Sequence, residues 1–361
     1  LSRFWLRPGP TRSGAAFFAA DELADVSRFY DSVGAQPTPV RRLRALAREL
    51  GLAEILVKDE SRRFGLPAFK IAGARYAVAR LIERGGSSVG DFACATAGNH
   101  GRAVAHAGRL HDRRVYVYVP VGTADARVAA LRDEGADVVV TTVGYDAAVR
   151  LMARDAAANG WTIVSDTAWE GYEEIPRWIM AGYTRLMEEA AAQWGDAPPA
   201  IVIVQAGVGS LAGAVAGWLQ RQVQCFPGSS PRLVVAEPLG SACVLTSLDA
   251  NRRVTLDSCE PTAMVGLRSA EVSTIAWPVL QSVADAAVAV PEALAAEAIA
   301  RLAHPAPGDD AAIHTAASGA AGLAALLALM RDPAAAEIRD ALDLGPTTRV
   351  QVIATEGPVG G

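Results

Sequence analysis

Cysteine is scarce in this 361-residue chain. Cys94, Cys225, Cys243 and Cys259 lie far apart, and none forms the paired spacing of a structural metal site. The expectation is no bound metal. The opening LSRFWLRPGP shows no secretory pattern, so a reducing, cytoplasmic setting is expected. That opening also lacks methionine, and the natural start is expected to lie upstream. Long apolar runs are missing too: each is broken by Gly, Arg, Pro or Asp before membrane-spanning length, which argues against a membrane partner. Basic residues are scattered and the formal charge is -5, so nothing would condense onto a phosphate backbone, and nucleic acid is not an expected partner. Aromatics make up only 6% of the chain.

What is present is apolar and glycine-rich. Hydrophobic residues reach 51%, enough for a well-buried core, and the length fits two domains. Residues 1–35 read as mostly irregular. TPVRRLRALARELG predicts a helix from Pro39 or Arg41, stopped by Gly51. EILVKDE then reads as a strand, and AFKIAGARYAVARLIERGG as a helix closing at Gly85–Gly86. The alternation continues through the strands DFACAT, RVYVYVP, DVVVTTV (read as buried) and WTIVSD, with helices between them. A long helix over Ile175–Trp194 precedes the strands AIVIVQAG, RLVVAEP and RVQVIATEG. Strand and helix periods interleaved at this spacing predict an α/β fold with mostly parallel sheets. Linkers are expected at Gly85–Gly90 and Gly195–Pro199. If the last strands complete the sheet begun by EILVKDE, the smaller domain is an insertion.

Three segments could carry chemistry. In QAGVGSLAG, Gln205–Gly213, a buried strand meets a helix through a glycine turn, presenting N–H groups and a positive helix end to an anion. No phosphate-loop lysine accompanies it, so ATP is not implied. Ala212 replaces the third glycine of a dinucleotide turn, and the acidic residue of the following strand, Glu237, comes late for a ribose. In ATAGNHG, Ala95–Gly101, Asn99 can hydrogen-bond a ligand held over the turn, while His100 reads as a structural hydrogen-bonder. Lys70 sits among small and apolar residues. It is either an ordinary surface lysine or an ammonium whose apolar setting favours amine chemistry.

These segments resemble the fold type II pyridoxal phosphate enzymes, the group of threonine dehydratase and the tryptophan synthase β subunit. More closely, FGLPAFKIAGARYA, ATAGNHGRAVAHA, SDTAWEGYEEIPRWIMAGY, QAGVGSLAG and IATEG follow, in order, the pattern of the diaminopropionate ammonia-lyase family. The resemblance implies two αβα domains with pyridoxal 5'-phosphate in the cleft between them. Residues 1–84 and 195–361 would form the large domain and 85–194 the small one. It also implies a Schiff base on Lys70, and a phosphate cradle of Gly207, Val208, Gly209, Ser210 and Leu211. Asn99 would bond the pyridine 3'-oxygen, and Thr355 would neighbour the pyridine nitrogen. Asp166 would face the substrate as acid/base or amine-binding group, with Thr96, Ala97, Tyr172 and Arg268 also toward the substrate.

Two departures bear on that substrate. Position 97 is Ala97 where the family reads ATDGNHG, and the missing carboxylate serves the D-isomer, so an L-configured substrate is expected. TAMVGLRSAEVS brings Arg268, which either favours a second anionic group or is structural. The implied activity is elimination on a small β-substituted amino acid such as L-2,3-diaminopropionate, giving pyruvate and ammonia, by a homodimer. A serine/threonine dehydratase-like reaction, β-replacement and a catalytically inactive ligand-binding descendant remain alternatives.

Overall fold

Short β-branched, aromatic or alanine–valine runs form eleven strands among the described residues. In chain order they are β1 (Arg3–Leu6), β2 (Val40–Arg42), β3 (Glu54–Asp59), β4 (Phe92–Ala95), β5 (Val115–Val119) and β6 (Asp137–Val140). β7 (Thr162–Ile163), β8 (Ile201–Gln205), β9 (Arg232–Pro238), β10 (Ala284–Val290) and β11 (Arg349–Ala354) follow. The computed structural model describes residues 1–9, 15–225 and 231–358. They divide into two compact units, Leu1–Arg62 with Thr184–Pro358, and Arg63–Tyr183. Lys70 therefore falls in the smaller unit.

The larger unit holds a seven-stranded sheet in the order β1-β10-β9-β8-β11-β3-β2. The inner pairs are parallel, and only the edge strands β1 and β2 run antiparallel to their neighbours. β11 pairs with β3 on one side and β8 on the other, with Val352 opposite both Val57 and Ile203. The chain's last strand thus completes a sheet that β3 began, as the sequence reading conditionally anticipated. β8 is buried at every position, as a parallel strand covered on both faces should be. Helix Ala317–Arg331, buried from Ala317 through Leu329, packs on β8, β10 and β11. Its small residues allow the approach: a Cβ on Gly322 would lie 3.4 Å from the Ile203 carbonyl oxygen.

The smaller unit is built on a four-stranded, all-parallel sheet, β6-β5-β4-β7. Helix Lys70–Gly85 packs against helix Asn99–Arg109, and helix Tyr145–Asn159 covers β4 and β5. Two glycines bring the Lys70 helix onto helix Glu174–Ala191 at backbone contact. A Cβ on Gly73 would sit 2.5 Å from the Tyr183 ring, and one on Gly182 would sit 2.5 Å from the Ala72 carbonyl oxygen.

Three local expectations need correction. Residues 1–35 are not mostly irregular: β1 pairs with Ala286–Ala289 of β10, and Ala20–Ser32 is a helix that buries Val26 and Tyr30. Residues 40–42 are an edge strand opposite Leu56–Lys58, so the next helix starts only at Arg44. Pairing with β3 overrides local helix propensity there. β6 is not buried but lies at the sheet's edge, with Val140 about half exposed.

Candidate active site

Only two lysines occur in the chain, Lys58 and Lys70. Lys58, on β3, has no exposed surface, and its ammonium donates to the Thr38 carbonyl at 2.7 Å and to Glu189 Oε2 at 2.9 Å. Its charge is compensated on the spot, as a buried charge must be. Lys70 opens its helix with a side chain about a fifth exposed (22%). Sequence reasoning passed over this count, which singles out Lys70 as the accessible side-chain amine.

The Lys70 ammonium donates a hydrogen bond to Asp166 Oδ2. It also lies 5.1 Å from the Phe69 ring centroid and 5.7 Å from that of Tyr183, within cation–π range. Burial opposes ionisation of Asp166. The Lys70 charge, His100 and the hydrogen bond outweigh that effect and hold the carboxyl well below the usual range. His100 is buried, with Nε2 2.9 Å from the Val164 carbonyl oxygen. That acceptor assigns the proton of the neutral ring to Nε2. Nδ1 then has no hydrogen-bond partner among the described residues and stands 3.9 Å from Asp166 Oδ2. Burial, aided by the Lys70 charge, keeps the imidazole below its ordinary pKa despite the Asp166 carboxylate. The structural reading of His100 accounts for Nε2, and its nearness to Asp166 was not anticipated.

Asp166 sits on the loop after β7, and Tyr172 braces that loop. The Tyr172 hydroxyl accepts the Ser165 N–H at 2.8 Å and donates to the Ile163 carbonyl at 2.8 Å. Its ring stacks on Trp169 with centroids 4.1 Å apart. On the neighbouring strand end, Thr96 Oγ1 accepts the Gly98 N–H, Ala97 lies half-buried between them, and Asn99 begins the following helix.

In the larger unit, β8 ends at Gln205 and helix Ser210–Cys225 begins at Ser210, with Gly207, Val208 and Gly209 between them. Gly209 has φ +88°, a conformation that only glycine adopts freely. A Cβ on Gly207 would come within 3.1 Å of the Leu267 backbone, and one on Gly209 within 3.0 Å of Leu280. Ser210 and Leu211 are buried at the helix start, where the first N–H groups have no partner within the helix. Thr355, just past β11, is buried and accepts a hydrogen bond from Gln205 Nε2 at 2.9 Å. Arg268 is exposed, and its guanidinium donates to the Cys259 carbonyl at 2.8 Å. Within one unit Lys70, Asp166 and His100 meet, and within the other the glycine turn and Thr355 flank Gln205.

A family model described as pyridoxal-phosphate dependent enzyme matches residues 32–342. The chain is 36% identical to diaminopropionate ammonia-lyase of Escherichia coli (strain K12), covering 94% of this chain and 89% of that one. The Salmonella typhimurium enzyme of the same name is also 36% identical, over 89% of this chain and 85% of its own. Among solved structures, the E. coli enzyme in complex with an aminoacrylate-PLP azomethine reaction intermediate is similar with a TM-score of 0.88 at 35% identity. The match covers 99% of this chain and 94% of that one. Threonine deaminase isoform 2 of Solanum lycopersicum shares the fold at 21% identity, with a TM-score of 0.76 over 98% of this chain and 96% of its own.

Proposed function

Because this chain belongs to the diaminopropionate ammonia-lyase family of pyridoxal-phosphate dependent enzymes, we propose that it eliminates ammonia from L-2,3-diaminopropionate, giving pyruvate. The observation that carries this reading is the Lys70–Asp166 pair in a chain whose other lysine is buried and neutralised. The residues fit the cofactor on their own terms. Lys70 offers an amine for its aldehyde, and the glycine turn Gly207–Gly209 leads into the start of helix Ser210–Cys225, where a helix's positive end favours a phosphate. Thr355 offers a neutral hydroxyl for the ring nitrogen, and Asn99 an amide for the 3'-oxygen.

The bound cofactor supplies an electron-accepting ring for the charge that develops as the Cα–H bond breaks. Lys70 would hold the cofactor through its aldehyde, and its Nζ as a free amine is the base that takes the substrate's α-proton. Asp166, held ionised, pairs with the substrate's second ammonium and keeps it protonated, so that it departs from Cβ as ammonia. The enamine released hydrolyses in water to pyruvate and a second ammonia. Thr96 and Ala97 form the turn toward the substrate. Ala97 brings no carboxylate to take a proton from the opposite face, which supports the L-isomer. Arg268, with its head on the Cys259 carbonyl, is assigned a structural part rather than an anion-binding one. The same reading takes the protein as a cytoplasmic homodimer.

Purified protein loaded with pyridoxal phosphate and given L- or D-diaminopropionate, L-serine or L-threonine tests the proposal by keto-acid and ammonia release. Pyruvate with twice its amount of ammonia is expected from L-diaminopropionate, with the D-isomer far slower. Comparable rates on both isomers, or release from serine alone, contradict it.

A further inference from the structure

Gln205 is buried at the end of β8 with its amide nitrogen among four acceptors. They are the carbonyl oxygens of Ser318 (2.9 Å), Gly319 (3.2 Å) and Ile353 (3.0 Å), and Thr355 Oγ1 (2.9 Å). Which end of a glutamine amide is nitrogen must be inferred from its neighbours, and here they leave one answer. Turned over, Oε1 would face three carbonyl oxygens at hydrogen-bond distance. An amide NH2 only donates, because its lone pair is delocalised, so Thr355 Oγ1 must be the acceptor in their contact. The hydroxyl's single proton is thereby turned away from Gln205. Among the described residues nothing accepts it, although Thr355 is only 3% exposed.

A buried hydroxyl proton without a partner is costly, so its direction points to an acceptor that the protein chain does not provide. The geometry points to Gln205 as a positioning residue that commits the Thr355 hydroxyl to donate to the cofactor's ring nitrogen. This rests on the cofactor reading above and goes beyond it. A ring nitrogen that accepts from a neutral alcohol stays unprotonated and draws charge from Cα more weakly than a pyridinium does.

Helix Ala317–Arg331 makes the arrangement possible. Its first turn supplies two of the carbonyls, and a Cβ at Gly319 would lie 2.8 Å from the Glu356 carbonyl oxygen. Gly322 faces the other end of the amide, where a Cβ would stand 3.3 Å from Gln205 Oε1. That oxygen has no hydrogen-bond partner among the described residues.

The test uses the holoenzyme reconstituted with pyridoxal phosphate labelled with 15N in the ring. In the wild type the 15N shift is expected to report an unprotonated, hydrogen-bonded nitrogen. Gln205→Met should move that shift toward free pyridine and weaken cofactor binding about tenfold, the worth of one hydrogen bond. Thr355→Val should do the same, and the double variant should be no weaker than Thr355→Val alone, because both remove one interaction. Thr355→Ser should keep the wild-type shift. Should Gln205→Met fail to fold, Gly322→Ala presses on the amide more gently and should shift the signal in the same direction. A protonated ring nitrogen in the wild type overturns the inference, as does a Gln205 or Gly322 variant with an unchanged shift, or additive losses in the double variant. A wild type that takes up no cofactor defeats the functional reading instead, so the two failures are distinguishable.

Discussion

Lys70 and Asp166 are 96 positions apart in the chain, yet the ammonium of one donates directly to the carboxylate of the other. The pairing arises because the Lys70 helix and the loop after β7 belong to the same small α/β unit. An amine beside a carboxylate that stays ionised is suited to exchanging a proton at one carbon while steadying a cation at the next.

Asp166→Asn should lower kcat by roughly 10²–10⁴, the usual worth of a positioned acid or base. It should leave cofactor attachment intact. Because the folded-state pKa of Asp166 is depressed, its contribution to stability is present above the ordinary carboxylate range and lost as pH falls through the folded value. The variant should therefore show a flatter acid limb in thermal unfolding. An unchanged kcat would remove Asp166 from the chemistry.

Tyr172 braces the Asp166 loop through its hydroxyl. Tyr172→Phe strands the Ser165 N–H and the Ile163 carbonyl, at a cost of about 1–3 kcal/mol. Hydrogen exchange at the Ser165 amide should accelerate, and kcat should fall while cofactor affinity holds. Protection equal to wild type at that amide would show that the brace does not hold the loop.

Glu237 accepts the Val244 and Leu245 N–H groups from a fully buried position. Burial pushes its pKa up to about 8, against those two hydrogen bonds. The folded state then holds the proton more tightly than the unfolded chain. The associated stability is complete below the ordinary 4.5 and is lost as pH rises through about 8. Glu237→Gln should remove that alkaline decline, read as Tm against pH. A variant that declines as steeply as wild type would place the titration elsewhere.

Much of this architecture was legible before any coordinates. VYVYV could hardly be anything but a strand, and Gly85–Gly86 and Gly51 stop helices where expected. What escaped depends on partners distant in sequence. β1 and β2 are short edge strands that exist because β10 and β3 pair with them. β10, read as ADAAVAV, carries too much alanine to announce itself as a strand, yet lies buried between β1 and β9. In the candidate site the glycine turn and Lys70 were visible as local patterns. The approach of His100 to Asp166, and of Gln205 to Thr355 across 150 positions, follows from tertiary packing and has no local signature.

The most direct measurement is borohydride reduction of the protein saturated with pyridoxal phosphate, followed by peptide mapping. Two lysines leave little room for ambiguity. A single cofactor adduct on Lys70 is the predicted result; an adduct on Lys58 or the terminal amine, or none at saturation, contradicts the account.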